Sequence, residues 1–304
     1  MKKGRIIALV VACLLLIVFL FVLLQPREPV YEGRPISEWI EQLTGVVGNE
    51  AGAVASHTLP KLIQQKPGNE IVPYLGGALR RGTSVKDRLY AWIHPKLPAA
   101  LLKKLPVPNP NRDAQLRYRA GLILYYLGPD SAKAVPPLTR ALRDENMDVR
   151  RIAAAALGNI GGAAKRAAPQ LIAASGDIFP DVRRAALKAL AGVEEDTAIV
   201  VSISARLLKD ADDGVRTDAA QLLKELGPKA GAAVRPLVES LSDTNGDVFR
   251  FAAMALGRIG PDAREAVPAL KLALRDRGPD SETTIRWALK QIDAPDLSDA
   301  TQSR

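Results

Sequence analysis

Between residues 113 and 292 the apolar positions follow a helical rhythm that stops and restarts at a fixed interval. Val149, Ala153, Ala156, Leu157 and Ile160 recur at steps of three and four, and so define one buried stripe of an amphipathic helix. Gly128-Pro129, Gly161-Gly162, Gly227-Pro228 and Gly260-Pro261 are expected to stop such helices, because glycine closes a helix readily and proline cannot continue one. A second apolar helix follows, as over residues 266–274, with Pro136, Pro169, Pro236 or Pro268 near its start. A polar turn comes next, residues 143–148 in the first clear copy, and its last residue, Asp148, is expected to cap the following helix. The unit is 33 residues long. Val149, Val182, Val215 and Val248 keep that spacing, as do Leu124, Leu157, Leu190, Leu223 and Leu256, and Asp144, Asp177, Asp210, Asp243 and Asp276. A helix pair of this size cannot bury its stripe alone, so neighbours must stack into an all-α solenoid. The ankyrin and tetratricopeptide signatures are absent.

The string Asp-x-x-x-x-Val-Arg-x-x-Ala-Ala-x-Ala-Leu-Gly-x-Ile-Gly, residues 144–161, resembles the HEAT repeat in the variety found in phycobilisome-lyase-like proteins. The likeness extends over residues 113–292 and implies a right-handed α-solenoid of HEAT-type helix pairs. HEAT arrays serve mostly as interaction scaffolds and occasionally as enzymes. The resemblance also implies that the recurring Asp and Arg of the turn, Asp144, Arg150, Asp177, Arg183, Asp210 and Arg216, pair along the stack as a structural ladder. A charge that recurs beside a core needs a partner, and the arginine fork can bridge a carboxylate and carbonyls. The third unit departs from the pattern, reading Leu190-Ala-Gly192-Val-Glu-Glu-Asp196 without a Gly-Pro stop.

Upstream, residues 35–112 look helical but poorly repeated and are expected to form a divergent capping segment, with Ser37 capping a helix that carries Trp39, Ile40 and Leu43. The Pro-rich run over residues 105–111 marks its boundary. Residues 25–34 read as a stalk and 293–304 as a polar tail. Residues 6–24 carry no charge, Pro or Gly, and Lys2, Lys3 and Arg5 precede them. At about 1.5 Å per residue such a helix approaches the roughly 30 Å hydrocarbon core. Residues 1–24 are therefore expected to be a cytoplasmic stub and single-pass signal anchor in a bacterial inner membrane, with the array outside the cytoplasm. Val10-Val11-Ala12-Cys13 resembles a lipoprotein cleavage box. Apolar residues continue beyond Cys13, however, so this thiol is read as part of the spanning helix.

Composition narrows the chemistry. One Cys excludes disulfide frameworks and thiolate-clustered metal sites, and the two histidines, His57 and His94, share no motif. Asp210-Ala-Asp212-Asp213-Gly214 and Asp243-Thr-Asn245-Gly246-Asp247 superficially suggest calcium loops. Gln221 and Met254 stand where a bidentate Glu belongs, so these residues are assigned to turns. No cofactor, metal or catalytic constellation is expected.

The net charge of +9 makes anionic surfaces plausible partners. If the Val-Arg helices line a concave face, stacked positions form lanes. One reads Tyr118, Arg151, Arg184, Thr217 and Arg250; the next Leu122, Ala155, Lys188, Gln221 and Met254; a third Tyr126, Asn159, Gly192, Glu225 and Arg258. Tyr118, Tyr126, Arg151, Arg184, Lys188, Arg250 and Arg258 thus form the candidate binding strip. The expected function is a membrane-tethered scaffold without catalysis, taking protein partners or an anionic envelope polymer or lipid. The alternative is a HEAT-type enzyme, bilin lyase-like or DNA glycosylase-like, that uses the same groove. Nucleic acid fits poorly with an exported domain.

Overall fold

The computed structural model describes residues 68–293, apart from 84, 98, 104–106 and 278, together with scattered positions between 11 and 40. The chain divides at Ala120 into two units. In the first, β1 (Val30–Tyr31) pairs antiparallel with β2 (Arg34–Pro35). Helices α1 (Gly68–Ala78), α2 (Val85–Ile93) and α3 (Ala99–Leu102) follow, and α4 (Pro110–Leu127) starts in this unit and ends in the second. Helix α1 buries Val72, Leu75 and Ala78, and Arg81 donates to Asp113 at 3.1 Å. Trp92 is 63% exposed, with Lys96 Nζ 3.0 Å from its ring centroid.

The second unit is a stack of helix pairs. First helices are α6 (Met147–Ile160), α8 (Pro180–Val193), α10 (Asp213–Leu226), α12 (Gly246–Ile259) and α14 (Pro279–Ile292). Second helices are α5 (Val135–Ala141), α7 (Ala168–Ala174), α9 (Thr197–Leu207), α11 (Val234–Ser240) and α13 (Val267–Asp276). The apolar stripe reaches the core as its period requires, with Val149, Ala153, Ala156 and Leu157 and their counterparts Val215, Ala219 and Leu223 fully buried. Small residues let first helices approach closely: a Cβ on Gly158 would lie 2.8 Å from the Cα of Ala189.

Local details depart from expectation in two ways. The expected glycines do stop the helices, at φ of 55 to 78° for Gly128, Gly161, Gly227 and Gly260, but a seven-residue 3-10 segment then precedes each short second helix. The third unit lacks that segment: α8 runs into extended Glu194, and Asp196 caps an eleven-residue α9. The caps also sit earlier than Asp148. Asn146, Asp212 and Asn245 accept backbone N–H bonds at the starts of α6, α10 and α12, whereas Asp148 and Asp247 lie in the first turn, where the helix dipole favours a carboxylate.

Among the described residues no helix is long and apolar enough to cross a membrane. This overturns the expected single-pass inner-membrane localisation. Spanning the bilayer takes about 20 apolar residues in one helix, and no described helix provides them. The apolar run at 6–24, apart from Val11, Leu15 and Phe19, lies outside the described residues, as does the tail from 294 onward.

Candidate functional site

The turn between units is built from one arginine and two aspartates. Arg150 forks onto Asp177 of the next unit, Nε to Oδ2 at 2.7 Å and Nη2 to Oδ1 at 2.9 Å. Its Nη1 donates backwards to the carbonyl of Asp144, also at 2.7 Å. Arg216 repeats this with Asp243 and the Asp210 carbonyl. Arg183 reaches Asp210 through Nη2 at 2.5 Å and the Asp177 carbonyl at 2.8 Å, leaving its buried Nε without a partner. Each aspartate also accepts the backbone N–H two residues on: Asn146 to Asp144, Phe179 to Asp177, Asp212 to Asp210 and Asn245 to Asp243. Desolvation pushes the carboxyls of Asp177 and Asp243 up, but the arginine bonds, those backbone N–H groups and the nearby guanidinium charges outweigh it and hold both below the ordinary range.

The row changes partner at its end. Phe249 occupies the arginine position of the fifth unit, and Arg277 from the following turn donates to the Asp243 carbonyl at 2.5 Å with its guanidinium 3.9 Å from the Phe249 ring centroid. This swap was readable as Phe249 in an arginine lane with a new arginine just after Asp276. In the first unit Arg117 donates to the Arg81 carbonyl at 2.7 Å.

The strip residues lie on the outward side of the first helices, and most of their charge is compensated. Arg184 and Lys188 both meet Asp218, at 2.7 and 3.0 Å, and the Asp218 side chain is only 8% exposed. The Arg184 guanidinium passes beside Gly214, where a Cβ would lie 3.4 Å from Nη1. The Asp218 bond, foremost among its influences, raises the Arg184 pKa further. Arg151 pairs with Asp148 at 3.1 Å and Arg250 with Asp247 at 2.6 Å, both exposed. Arg258 is exposed and makes no ion pair among the described residues. Tyr126 is half-buried, edge-on to Tyr125 at 5.3 Å, and the Tyr125 carbonyl accepts from Asn159 at 2.6 Å. Tyr118, also half-buried, belongs to the first unit. The strip is therefore a face of mixed charge in place of the expected row of free cations. Asp218 went unforeseen, although its lane, Ile152, Ala185, Asp218 and Phe251, shows one carboxylate among apolar side chains.

Among the described residues no group of three or more potential metal ligands converges, in the acidic turns or elsewhere. Asp210, Asp212, Asp243 and Asn245 are engaged in caps and the ladder.

Residues 99–191 and 200–290 match the HEAT repeats family. The chain is a HEAT-repeat protein. The gap between the two matched stretches falls on the irregular third unit, where the HEAT array loses its glycine stop. No curated protein is significantly similar in sequence. Among solved structures, a designed armadillo repeat protein in complex with the peptide (KR)4 is 19% identical over 73% of this chain and 99% of that one, with a TM-score of 0.48. An engineered protein from a structural genomics consortium is 18% identical over the same shares, with a TM-score of 0.49.

Proposed function

We propose that this HEAT-repeat protein is a binding scaffold without catalysis, docking a protein partner on the outward face of its first helices. The observation that carries the reading is the mixed charge of that face. Arg184 and Lys188 gather on Asp218, and Arg151 and Arg250 each face an aspartate. Such a surface lacks the uniform positive field that a polyanionic polymer or lipid sheet would call for, and it complements the mixed polar rim of a protein interface. The ladder supports the same reading from the other side. Its residues repeat from unit to unit, whereas the face reads Arg151, Arg184, Thr217, Arg250 in one lane and Asn159, Gly192, Glu225, Arg258 in another, so each unit offers a different contact.

The test is affinity capture from native lysate with the full chain. Arg151→Glu, Gln221→Lys and Arg250→Glu together alter the face without touching the ladder or Asp218. The altered chain should keep its helical circular dichroism and lose its captured proteins. A control with Arg140→Glu, Arg235→Glu and Lys271→Glu, on the second helices, should retain them. Equal capture by both variants would contradict the reading.

A further inference from the structure

The face is not uniform along the stack, and its far end differs in chemistry from its middle. Around α8 and α10 the cations are neutralised on Asp218. On α10, α12 and α14 the Arg250–Asp247 and Arg286–Glu282 pairs stand beside cations that make no ion pair among the described residues. Lys224 makes no ion pair among the described residues and instead lies with its Nζ 4.8 Å from the Phe251 ring centroid. Arg250 approaches the same ring at 4.5 Å, so one half-buried aromatic ring is flanked by two cations. Arg258, two turns beyond Arg250 on α12, is exposed and also without an ion pair among the described residues. Lys290 is exposed on α14.

Apolar surface accompanies these cations. Trp287 of α14 is 37% exposed and rests on α12 at Gly257, where a Cβ would come within 2.6 Å of its ring. Met254, one turn before Arg258, is half-buried. Partly exposed aromatic, thioether and arginine side chains beside one another are the composition from which interface hot spots are made. Lys224, resting on an aromatic ring and without an ion pair among the described residues, loses little when a ligand carboxylate replaces water around it.

From this juxtaposition we infer that the Lys224–Phe251–Met254–Arg258–Trp287 surface docks an acidic segment of a partner protein, one that alternates carboxylates with apolar side chains. The apolar groups cover Phe251, Met254 and Trp287, and the carboxylates meet Lys224 and Arg258. The inference rests on the docking reading above and locates it at one end of the array.

The experiment measures fluorescence anisotropy of labelled twelve-residue peptides with the full chain. The (Glu-Leu-Ser)4 peptide should bind. Its affinity should fall severalfold between 50 and 300 mM salt, because exposed charges are screened over about 10 Å at 0.1 M. The peptides (Lys-Leu-Ser)4 and (Glu-Ser-Ser)4 should bind at least tenfold more weakly, one lacking the charge and the other the apolar groups. Lys224→Ser with Arg258→Ser should weaken (Glu-Leu-Ser)4 binding at least tenfold. This pair is substituted because neither side chain supports the core, while Phe251→Ala provides a second variant, checked for folding by circular dichroism. Unchanged binding in the serine pair, or preference for the lysine peptide, overturns the proposal. So does self-association of the wild-type chain in light scattering that the same pair abolishes, which would make a second copy the occupant. If (Glu-Leu-Ser)4 fails to bind while the Arg151, Gln221 and Arg250 variant still loses its captured proteins, this inference falls and the docking reading stands.

Discussion

Besides the pairs on Asp218, neighbouring units in the array are joined by ion pairs in the inter-unit turns and on the side of the second helices, and these two sets differ in surroundings more than in chemistry. In the inter-unit turns, Arg150–Asp177, Arg183–Asp210 and Arg216–Asp243 link residues 27 apart, with side chains 10 to 17% exposed. On the side of the second helices, Lys165–Glu195, Lys209–Glu239 and Arg235–Glu265 join the same kinds of neighbours, with side chains 50 to 87% exposed. In water an exposed pair gains little, because solvent screens it and two long side chains lose freedom. In the turns each arginine also donates to carbonyls behind it, and each aspartate also closes its own turn. Removing one partner there strands buried groups as well as ending an attraction. On these grounds we propose that the turn ladder contributes more to holding the stack in register than the exposed pairs do.

The sharpest way to break this contrast is at Arg183. Arg183→Ala leaves Asp210 and the Asp177 carbonyl unpaired in a partly buried turn, and should lower unfolding free energy by about 3 kcal/mol in urea titration of the full chain. A loss below about 1 kcal/mol would put the turn on a level with the exposed bridges. A smaller effect on the turn set is read by pH. Because Asp177 and Asp243 have folded-state pKa values below those of the unfolded chain, their contribution is fully present above the ordinary carboxylate value of about 4 and is lost as pH falls through the lower folded values. Urea midpoints should change little from pH 7 to pH 5 and drop below about pH 4, and Asp177→Asn should blunt that drop. A midpoint rising on acidification would contradict the assignment.

The repeat was legible because its determinants are local and periodic. A stripe of Val149, Ala153, Ala156 and Leu157 recurring every 33 residues admits one packing solution, a stack of helix pairs. What the sequence hid were choices made by side chains with more than one available partner. Asp148 is a good capping residue, yet Asn146 reaches the free N–H groups first, and Asp148 pairs with Arg151. Arg184 and Lys188 read as free cations until α10 brings Asp218 under them from 34 and 30 residues away. That pairing changes experimental design, since reversing Arg184 and Lys188 together would strand a buried carboxylate and confound folding with binding. The irregular third unit was visible in the missing Gly-Pro, but its longer α9 was not. The membrane reading failed for a different reason: an apolar run in a sequence fixes hydropathy, and no described helix has the length and apolar character of a span.

The most direct test is a pair of double-mutant cycles in one chain, Arg183 with Asp210 and Lys209 with Glu239, each residue changed to Ala singly and together. Both pairs join neighbouring units, and both are close, at 2.5 and 2.7 Å. The coupling should exceed about 1.5 kcal/mol for the buried turn pair and stay below about 0.5 kcal/mol for the exposed pair. Equal couplings would show that burial in the turn does not decide what holds the stack together.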